Sequence, residues 1–588
     1  MLNLEKALTE KYPDLPQKIG GKAMMKLIKT LTHETEINDF IQTHQHLKGF
    51  AFLDHVLNFF NFSYQVSARS LNRIPSEGRL MIVANHPIGS LDGLALLKMV
   101  RSIRPDVRIV ANDLLNNIAP LQSLFLGMDN MSGPNTAKTT HKAQFKAIMH
   151  ALENDEAVII FPAGEVSRIR PNGVRDGKWK TGFLKFAQKA KAPIVPIFID
   201  ARNSALFYTL SAMYKPLGTL LLVQEMFNKN HQEITFHIGK PIAYKAINRL
   251  ELPNKALASR FRKHLYTLDK ESKTAKKGHK ANPPLFETLE TIAHPVDRKA
   301  LKKALKKSPL LGQTQDGKKI YLYDFEDDSP VMHEIGRLRE LTFRTVEEGT
   351  GTRMDLDAYD VRYRHLVLWD EDDLEIVGAY RIGECKQIID EHGTQGLYTS
   401  TLFNLQPQME ALLPNALELG RSFVQPRYWG KRSLDYLWYG IGAYVALHPD
   451  IKYLFGPVSL SAAYPQNAKE LIMGFYSQQF GSNPKQTKSV TAIRPIKLSP
   501  QNQNIAEHVF NGEYKASYKK LNALLDAEGV KVPTLFKQYA EVCDDKGCQF
   551  IDFSIDPNFN NCIDAFILVD LDKLTPKKRA RYLNPISA

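Results

Sequence analysis

Cysteine is scarce in this chain. Its 588 residues include four, Cys385, Cys543, Cys548 and Cys562, and none shows the paired spacing of a zinc site. Neither a disulfide framework nor a metal is expected, and a reduced compartment is. Long apolar runs are also missing, since no stretch approaches the ~20 residues of a membrane-spanning helix. The opening Met1-Leu2-Asn3-Leu4-Glu5-Lys6 lacks the apolar core of a signal peptide. Nucleic-acid recognition lacks its marks too, a reading module or basic stripes interleaved with aromatics. What is left is a cytosolic globular protein, 43% hydrophobic and 24% charged. Single cores stop growing near ~250–300 residues, so two to four domains are expected.

What the chain has in excess is positive charge. A net +14 calls for an anionic membrane face or an acidic protein, once nucleic acid is set aside. The basic residues cluster between two halves, at Lys273, Lys276, Lys277 and Lys280, then from Arg298 to Lys307. This predicts a domain over 1–265, a basic linker over 266–318 around Asn282-Pro283-Pro284, and a second domain over 319–588. In the linker, Leu301, Ala304 and Leu305 share one helical face among lysines. That is the pattern of a membrane-surface helix or of a solvated linker helix. The aromatic segment from Phe50 to Phe62 is too polar to span a bilayer, and reads equally as an interfacial segment or a core helix.

Three buried-strand runs organise the first half: Leu80–Ala84, Ala157–Ile160 and Ala192–Ile199. Polar turns and helices alternate with them, which is an α/β rhythm with functional loops at strand ends. After the first run comes Asn85-His86-Pro87-Ile88-Gly89-Ser90-Leu91-Asp92-Gly93, with Ser90 placed to cap the next helix. A histidine and a carboxylate at such a turn suit a general base with an orienting acid, or simply a helix cap beside a histidine. After the second run comes Phe161-Pro162-Ala163-Gly164-Glu165-Val166-Ser167-Arg168. The order of blocks resembles the glycerolipid acyltransferases, in their hemolysin-type branch, over about residues 40–245. The resemblance implies that His86 and Asp92 are catalytic and that Asn85, Gly164, Glu165 and Arg168 bind substrate. Five residues, not the family's four, separate His86 from Asp92, and Ala163 stands where the family has Glu. The family's phosphate-gripping arginine is absent from Phe125-Leu126-Gly127-Met128-Asp129-Asn130. That argues against a phosphate-bearing acceptor, although Arg168 and Arg170 could substitute.

The second half offers another constellation. Arg339 and Phe343 sit on an expected helix, and Asp357 and Asp360 on an acidic loop. Two strands over 365–369 and 376–382 carry Arg381. Glu418-Leu419-Gly420-Arg421 follows, then the basic loop Arg427-Tyr428-Trp429-Gly430-Lys431-Arg432-Ser433 and a helix to about Leu447. Strand, glycine-bearing basic loop and helix is an anion-binding arrangement. This half resembles the N-acyltransferases that make lyso-ornithine lipid and, more distantly, the acyl-homoserine-lactone synthases; both imply an acetyltransferase-like fold. The Arg339/Phe343, Asp357/Asp360, Arg381 and Glu418/Arg421 pairings carry the synthase likeness. The tryptophan of the lactone synthases is missing at Glu347-Glu348-Gly349-Thr350. The ornithine-lipid likeness runs on through Pro533–Tyr539, Asp556–Phe559 and Asp564.

The two resemblances together are those of the bifunctional ornithine-lipid synthases. They imply an α/β protein with two catalytic domains. The second would join a 3-hydroxyacyl chain from acyl carrier protein to the amine of ornithine. Glu418 would take the proton, with Arg421 holding Glu418 or stabilising the oxyanion. Arg427, Gly430, Lys431, Arg432 and Ser433 would hold the phosphate of the carrier's phosphopantetheine arm. The first domain would esterify the hydroxyl, at the cytoplasmic face of the inner membrane, with no cofactor in either step. Glycine or another amino acid as acceptor, lysophospholipid remodelling, and a catalytically dead membrane or carrier-protein binding module remain open. A structural ion pair between Glu418 and Arg421 is the plain alternative for that motif.

Overall fold

The structure is a computed structural model describing residues 33–110, 118–126, 137–213, 215–229, 232–274, 284–481, 488–544 and 546–583. Lys276, Lys277, Lys280 and the stretch 127–130 lie outside the described residues. The chain forms two compact units, Met1–Thr291 and Ile292–Ala588.

The first unit is built on a six-stranded sheet. Its strands are β1 (Ser63–Gln65), β2 (Leu80–Ala84), β3 (Arg108–Ile109), β4 (Ala157–Ile160), β7 (Ile194–Asp200) and β8 (Glu233–Ile238), while β5 (Arg168–Arg170) and β6 (Gly173–Arg175) form a separate hairpin. The sheet order is β1-β8-β7-β2-β4-β3, with β7–β8 antiparallel and the other pairs parallel. The period of two splits each central strand between two cores. Leu80, Ile82 and Ala84 pack with α1 (Phe50–Phe59) and α2 (Ser90–Arg101) on one face. Met81 and Val83 pack with α3 (Gly182–Ala190) on the other. The aromatic segment is therefore a core helix: Phe52, Leu53, Val56 and Leu57 are buried in α1, and Phe59 stays exposed.

The second unit has an eight-stranded sheet. Its strands are β9 (Leu310–Gln313), β10 (Lys319–Tyr323), β11 (Arg364–Asp370), β12 (Glu375–Glu384), β14 (Ala416–Val424), β15 (Tyr453–Leu460), β17 (Cys548–Asp556) and β18 (Cys562–Asp570); β13 (Phe403–Leu405) and β16 (Val490–Ala492) pair apart. The order is β17-β18-β15-β14-β12-β11-β10-β9. The pair β14–β15 is parallel and the others are antiparallel. The helix expected over 298–307 is α4 (Arg298–Leu305), capped by Asp297. Its apolar face is not left for a membrane or for solvent. Leu301 and Leu305 are buried with Val331, Met332 and Ile335 of α5 (Pro330–Thr345), so these residues belong to the second unit rather than to a linker. The lysines find partners there as well: Lys302 pairs with Glu371 and Arg298 with Glu375. The opposite sheet face packs α6 (Ser433–Leu447) and α7 (Gln466–Phe480). Cys385, Cys548 and Cys562 are buried and Cys543 is partly so; burial raises every one of these thiols, that of Cys543 to about 12. No described helix is long and apolar enough to cross a membrane.

The parallel pair is short. Ala416, Leu417 and Glu418 face Tyr453, Leu454 and Phe455, and the two strands then part. A bulge in β14, where Gly420 and Phe423 face Arg381 and Ala379, turns it toward β12. At the parting point the backbones are so close that a Cβ on Gly456 would lie 2.0 Å from the Leu419 carbonyl oxygen. Substituting Gly456→Ala should therefore force the strands apart, costing about 1–3 kcal/mol. The melting temperature is expected to fall by several degrees, and an unchanged value would show that the backbone yields freely there.

Candidate active sites

In the first unit, β2 ends at Ala84 and the chain turns sharply into α2. Asn85 fixes the turn: its side chain donates to the Ile199 carbonyl at 3.0 Å and accepts from the Ile199 amide at 2.8 Å. The next residue, His86, has Nδ1 2.9 Å from Asp92 Oδ1. Asp92 is fully buried in the first turn of α2, and its Oδ2 accepts from the amides of Ile88 and Gly89 at 2.9 and 3.2 Å. Gly89 occupies the N-cap position at φ 105°, and Ser90 is the first residue of the helix. The carboxylate of Asp92, not the expected Ser90 hydroxyl, thus meets the orphan amides. The same turn allows the five-residue spacing from His86 to Asp92.

The Asp92 contact sets Nδ1 as the proton-bearing nitrogen and leaves Nε2 for a substrate. Burial lowers the His86 pKa, but the charge and hydrogen bond of Asp92, and then Asp176, outweigh it and raise the pKa overall. Phe161 stacks on the imidazole, with centroids 4.1 Å apart, and Ser167 donates its amide to the His86 carbonyl at 2.7 Å. The two sequence blocks are therefore brought together. Gly164 takes φ 68°, with Lys180 Nζ packed where a side chain would begin. Glu165 lies 3.7 Å from Arg168, and Arg168 reaches Ser211.

Sequence reasoning missed Asp176. It is fully buried and accepts from Ser167 Oγ at 2.5 Å, Trp179 Nε1 at 2.9 Å and the His86 amide at 3.3 Å. It ties the two blocks from beneath. A lone acid in Arg175-Asp176-Gly177 gave no signal of this.

In the second unit, Arg339 of α5 donates to Asp360 at 2.7 Å and contacts His365 at 3.3 Å. Arg381 of β12 donates to Asp357 at 2.6 Å and to Asp360 at 3.3 Å. Arg421 reaches Asp355 at 3.2 Å, Asp357 at 3.4 Å and the Tyr398 hydroxyl at 3.1 Å. Burial opposes ionisation of Asp360, but Arg339 and Arg381 hold its carboxyl well below the carboxylate range. Burial and then Arg339 push His365 down to about 3, so it is neutral. Arg421 lies between the rings of Tyr398 and Phe559, and Phe343 meets Phe559 edge-on at 4.9 Å. All the predicted residues Arg339, Phe343, Asp357, Asp360, Arg381 and Arg421 are thus in one network, to which Asp355 is added.

Glu418 stands apart from the expectation. Arg421 does not hold it: the bulge places Arg421 at φ 48°, a strained conformation, and aims it at the aspartates. Instead Glu418 accepts from the Thr399 amide at 2.7 Å, from the Thr399 hydroxyl and from the Tyr363 hydroxyl. Burial raises its pKa, against those hydrogen bonds.

Where β14 and β15 part there is a cavity. It is lined by Arg421 and Ser422 on one strand, Pro457, Val458 and Ser459 on the other, and by Phe343, Glu348, Tyr398, Leu535, Phe559 and Asp564. Glu418 is not on its wall. The basic loop runs from the end of β14 into α6. Arg427 is taken up by Asp373 and Glu375, and Arg432 lies 3.6 Å from Asp435. Gly430 has φ 75°, Lys431 and Arg432 are exposed, and Ser433 is buried.

Two measurements follow from this geometry. In Asp92→Asn, His86 keeps its burial but loses its anion, so its imidazole should titrate below the ordinary 6.5 instead of above it. An NMR titration of the histidines reads this, and an unmoved resonance means the pair is not coupled. In Glu418→Gln, an amide N–H₂ must face a hydroxyl or amide donor, costing about 1–3 kcal/mol. Thermal unfolding should shift down by several degrees; an unshifted curve would show that the three donors do not depend on the carboxylate.

The family described as Acyltransferase matches residues 6–272, and that described as Acetyltransferase (GNAT) domain matches 338–439. A glycine N(alpha)-acyltransferase of Phocaeicola vulgatus is 31% identical over 309 residues, 50% of this chain and 93% of that protein. A lyso-glycine lipid O-acyltransferase of Bacteroides thetaiotaomicron is 32% identical over 263 residues, 43% of this chain and 92% of that protein. An L-ornithine N(alpha)-acyltransferase of Brucella abortus is 33% identical over 147 residues, 22% of this chain and 50% of that protein. The chain is an enzyme, and it belongs to the acyltransferases of amino-acid lipid biosynthesis, joining an acyltransferase domain and a GNAT domain in one polypeptide.

Proposed function

We propose that this chain builds a two-chain amino-acid lipid by two successive acyl transfers. The second unit joins a 3-hydroxyacyl group to the amine of an amino acid, and the first unit esterifies the hydroxyl so introduced. The observation that carries this reading is the pair of relatives, one named for N-acyl transfer and one for O-acyl transfer to the resulting lyso-lipid. One chain matches more than nine-tenths of each.

The residues supply the chemistry. A hydroxyl is a weak nucleophile until a base removes its proton. His86 Nε2 takes that proton while Asp92 orients the ring and stabilises the imidazolium that forms. The oxygen attacks the thioester carbonyl, the C–O bond forms, the C–S bond breaks, and the imidazolium returns the proton to the departing thiolate. Glycine is the first choice of amino acid, because the two long matches described above are to a glycine N(alpha)-acyltransferase and a lyso-glycine lipid O-acyltransferase. Ornithine is the second, favoured by the shorter match to the Brucella abortus enzyme at 33% identity. The donor in this reading is an acyl carrier protein, an acidic partner for a chain of net charge +14. Exposed Lys431 and Arg432 beside the glycine loop would meet its phosphate.

Mass spectrometry of lipids from a host expressing the chain tests the reading. The wild type should yield a phosphorus-free two-chain amino lipid whose head group identifies the amino acid. His86→Ala should stop at the one-chain amide, because removing a positioned base costs about 10²–10⁴-fold. Asp92→Asn should give a milder form of the same block. Two-chain product from His86→Ala at wild-type level would remove the ester step from the first unit.

A further inference from the structure

The cavity between β14 and β15 carries two carboxyls that form no ion pair among the described residues. Around it, Arg339, Arg381 and Arg421 are matched by Asp355, Asp357 and Asp360. These six groups pair with one another. Glu348 and Asp564 remain. Glu348 is in the turn after α5, its amide bonded to the Phe343 carbonyl at 2.8 Å, and among the described residues its carboxyl meets neither a hydrogen-bond donor nor a cation. Asp564, on β18, is 2% exposed. Its Oδ1 accepts from Ser459 Oγ at 2.6 Å, with Cys562 Sγ at 4.0 Å from the same atom. Two carboxyls sharing a cavity, with no cation acting on Asp564 but an Arg421 already paired to Asp355 and Asp357, favour a cationic guest. The arginine on the same wall still has donors to give. Three of the five N–H groups of Arg421 reach Asp355, Asp357 and Tyr398.

Resting on the N-acyl reading of the second unit, we propose that this cavity is the amino-acid site: Asp564 and Glu348 receive the ammonium and take its proton, and the remaining N–H groups of Arg421 receive the carboxylate. Glu418, with both oxygens engaged and off the cavity wall, then acts as a positioning residue that fixes Tyr363 and Thr399. The balance of the step is simple. The ammonium gives one proton to the carboxyl pair, which passes it to solvent. The freed nitrogen attacks the thioester carbonyl, the C–N bond forms and the C–S bond breaks. The second proton leaves the nitrogen through the pair and ends on the departing thiolate, releasing amide and thiol.

The titration of the pair suits this work. Burial raises Asp564 to about 7; Ser459 and Arg421 oppose the rise and Asp556 adds to it. Burial and Asp564 raise Glu348 to about 8. Cys562 and Tyr398 border Asp564, and Tyr464 borders Glu348; burial raises all three, so they stay neutral near pH 7. A proton acceptor works best with a pKa near the working pH.

The test uses the full-length protein with a 3-hydroxyacyl carrier-protein thioester and either glycine or ornithine, measured from pH 6 to 9.5. The wild-type rate of amide formation should rise through neutral pH. Asp564→Asn should lose about 100-fold in kcat/KM near pH 7 and recover part of it at the alkaline end, where the free amine needs no base. Glu348→Gln, on a less buried side chain, should raise KM for the amino acid about tenfold and shift the profile. A structural role for these residues predicts losses equal at every pH, and that result overturns the proposal, as does kcat/KM within twofold of wild type in Glu348→Gln. Should Asp564→Asn not fold, Glu348→Gln alone decides. Selective loss of ornithine with glycine use intact would also overturn it, by assigning the pair to a side-chain ammonium. If the wild type itself makes no amide with either amino acid, the N-acyl reading fails first.

Discussion

The second unit depends on one electrostatic constraint. Three arginines and three aspartates are packed together under the sheet, and Arg339, Arg381, Asp355 and Asp360 are each at most 2% exposed. None of these charges tolerates burial alone, and removing one partner strands another. The need for pairing decides local conformation. It draws the acidic loop 355–360 against β12 and β14, and it holds Arg421 at a backbone angle that costs of order 1–3 kcal/mol. That strained residue is also where β14 leaves β15. The cavity opens where the two strands part, with Arg421 on its wall.

The first unit solves a different problem with a similar economy. A histidine must keep one nitrogen engaged and the other available. The chain achieves this with a helix start. Asp92 accepts from two amides with one oxygen and lies 2.9 Å from the imidazole with the other. Local folding and ring orientation are thus one event, and Asn85 and Asp176 anchor the same turn to β7 and to the hairpin loop.

Much of this was legible in the sequence, and the reasons differ by residue. The run Leu80–Ala84 is a strand to the residue, because five apolar residues bounded by polar turns have no other use. The helix through Arg339 and the strand pair around Asp370–Asp373 were visible through their periodicity and turn chemistry. What failed was whatever depended on a partner far away in sequence. Ser90 is a good cap by type, yet a carboxylate two residues on was better placed. Leu301 and Leu305 had the right face for a membrane, but α5 covers it. Glu418 and Arg421 are three apart on a strand, where a bulge and distant donors decide their neighbours. Asp176, Asp355 and Glu348 carry no motif; only the fold shows that Asp176 meets the His86 turn, that Asp355 meets Arg421, and that Glu348 shares a cavity with Asp564, which the ornithine-lipid likeness alone had marked.

The scarcity and burial of cysteine have a consequence for an enzyme that, in the reading proposed here, takes acyl groups from thioesters. A thiolate exchanges with a thioester at no great cost in energy, so every exposed, ionised cysteine would be a competing acceptor. Here burial holds the four thiols protonated and keeps three of them out of reach. The protein thereby has few thiols on which to acylate itself, which closes the thiol-exchange route to self-modification.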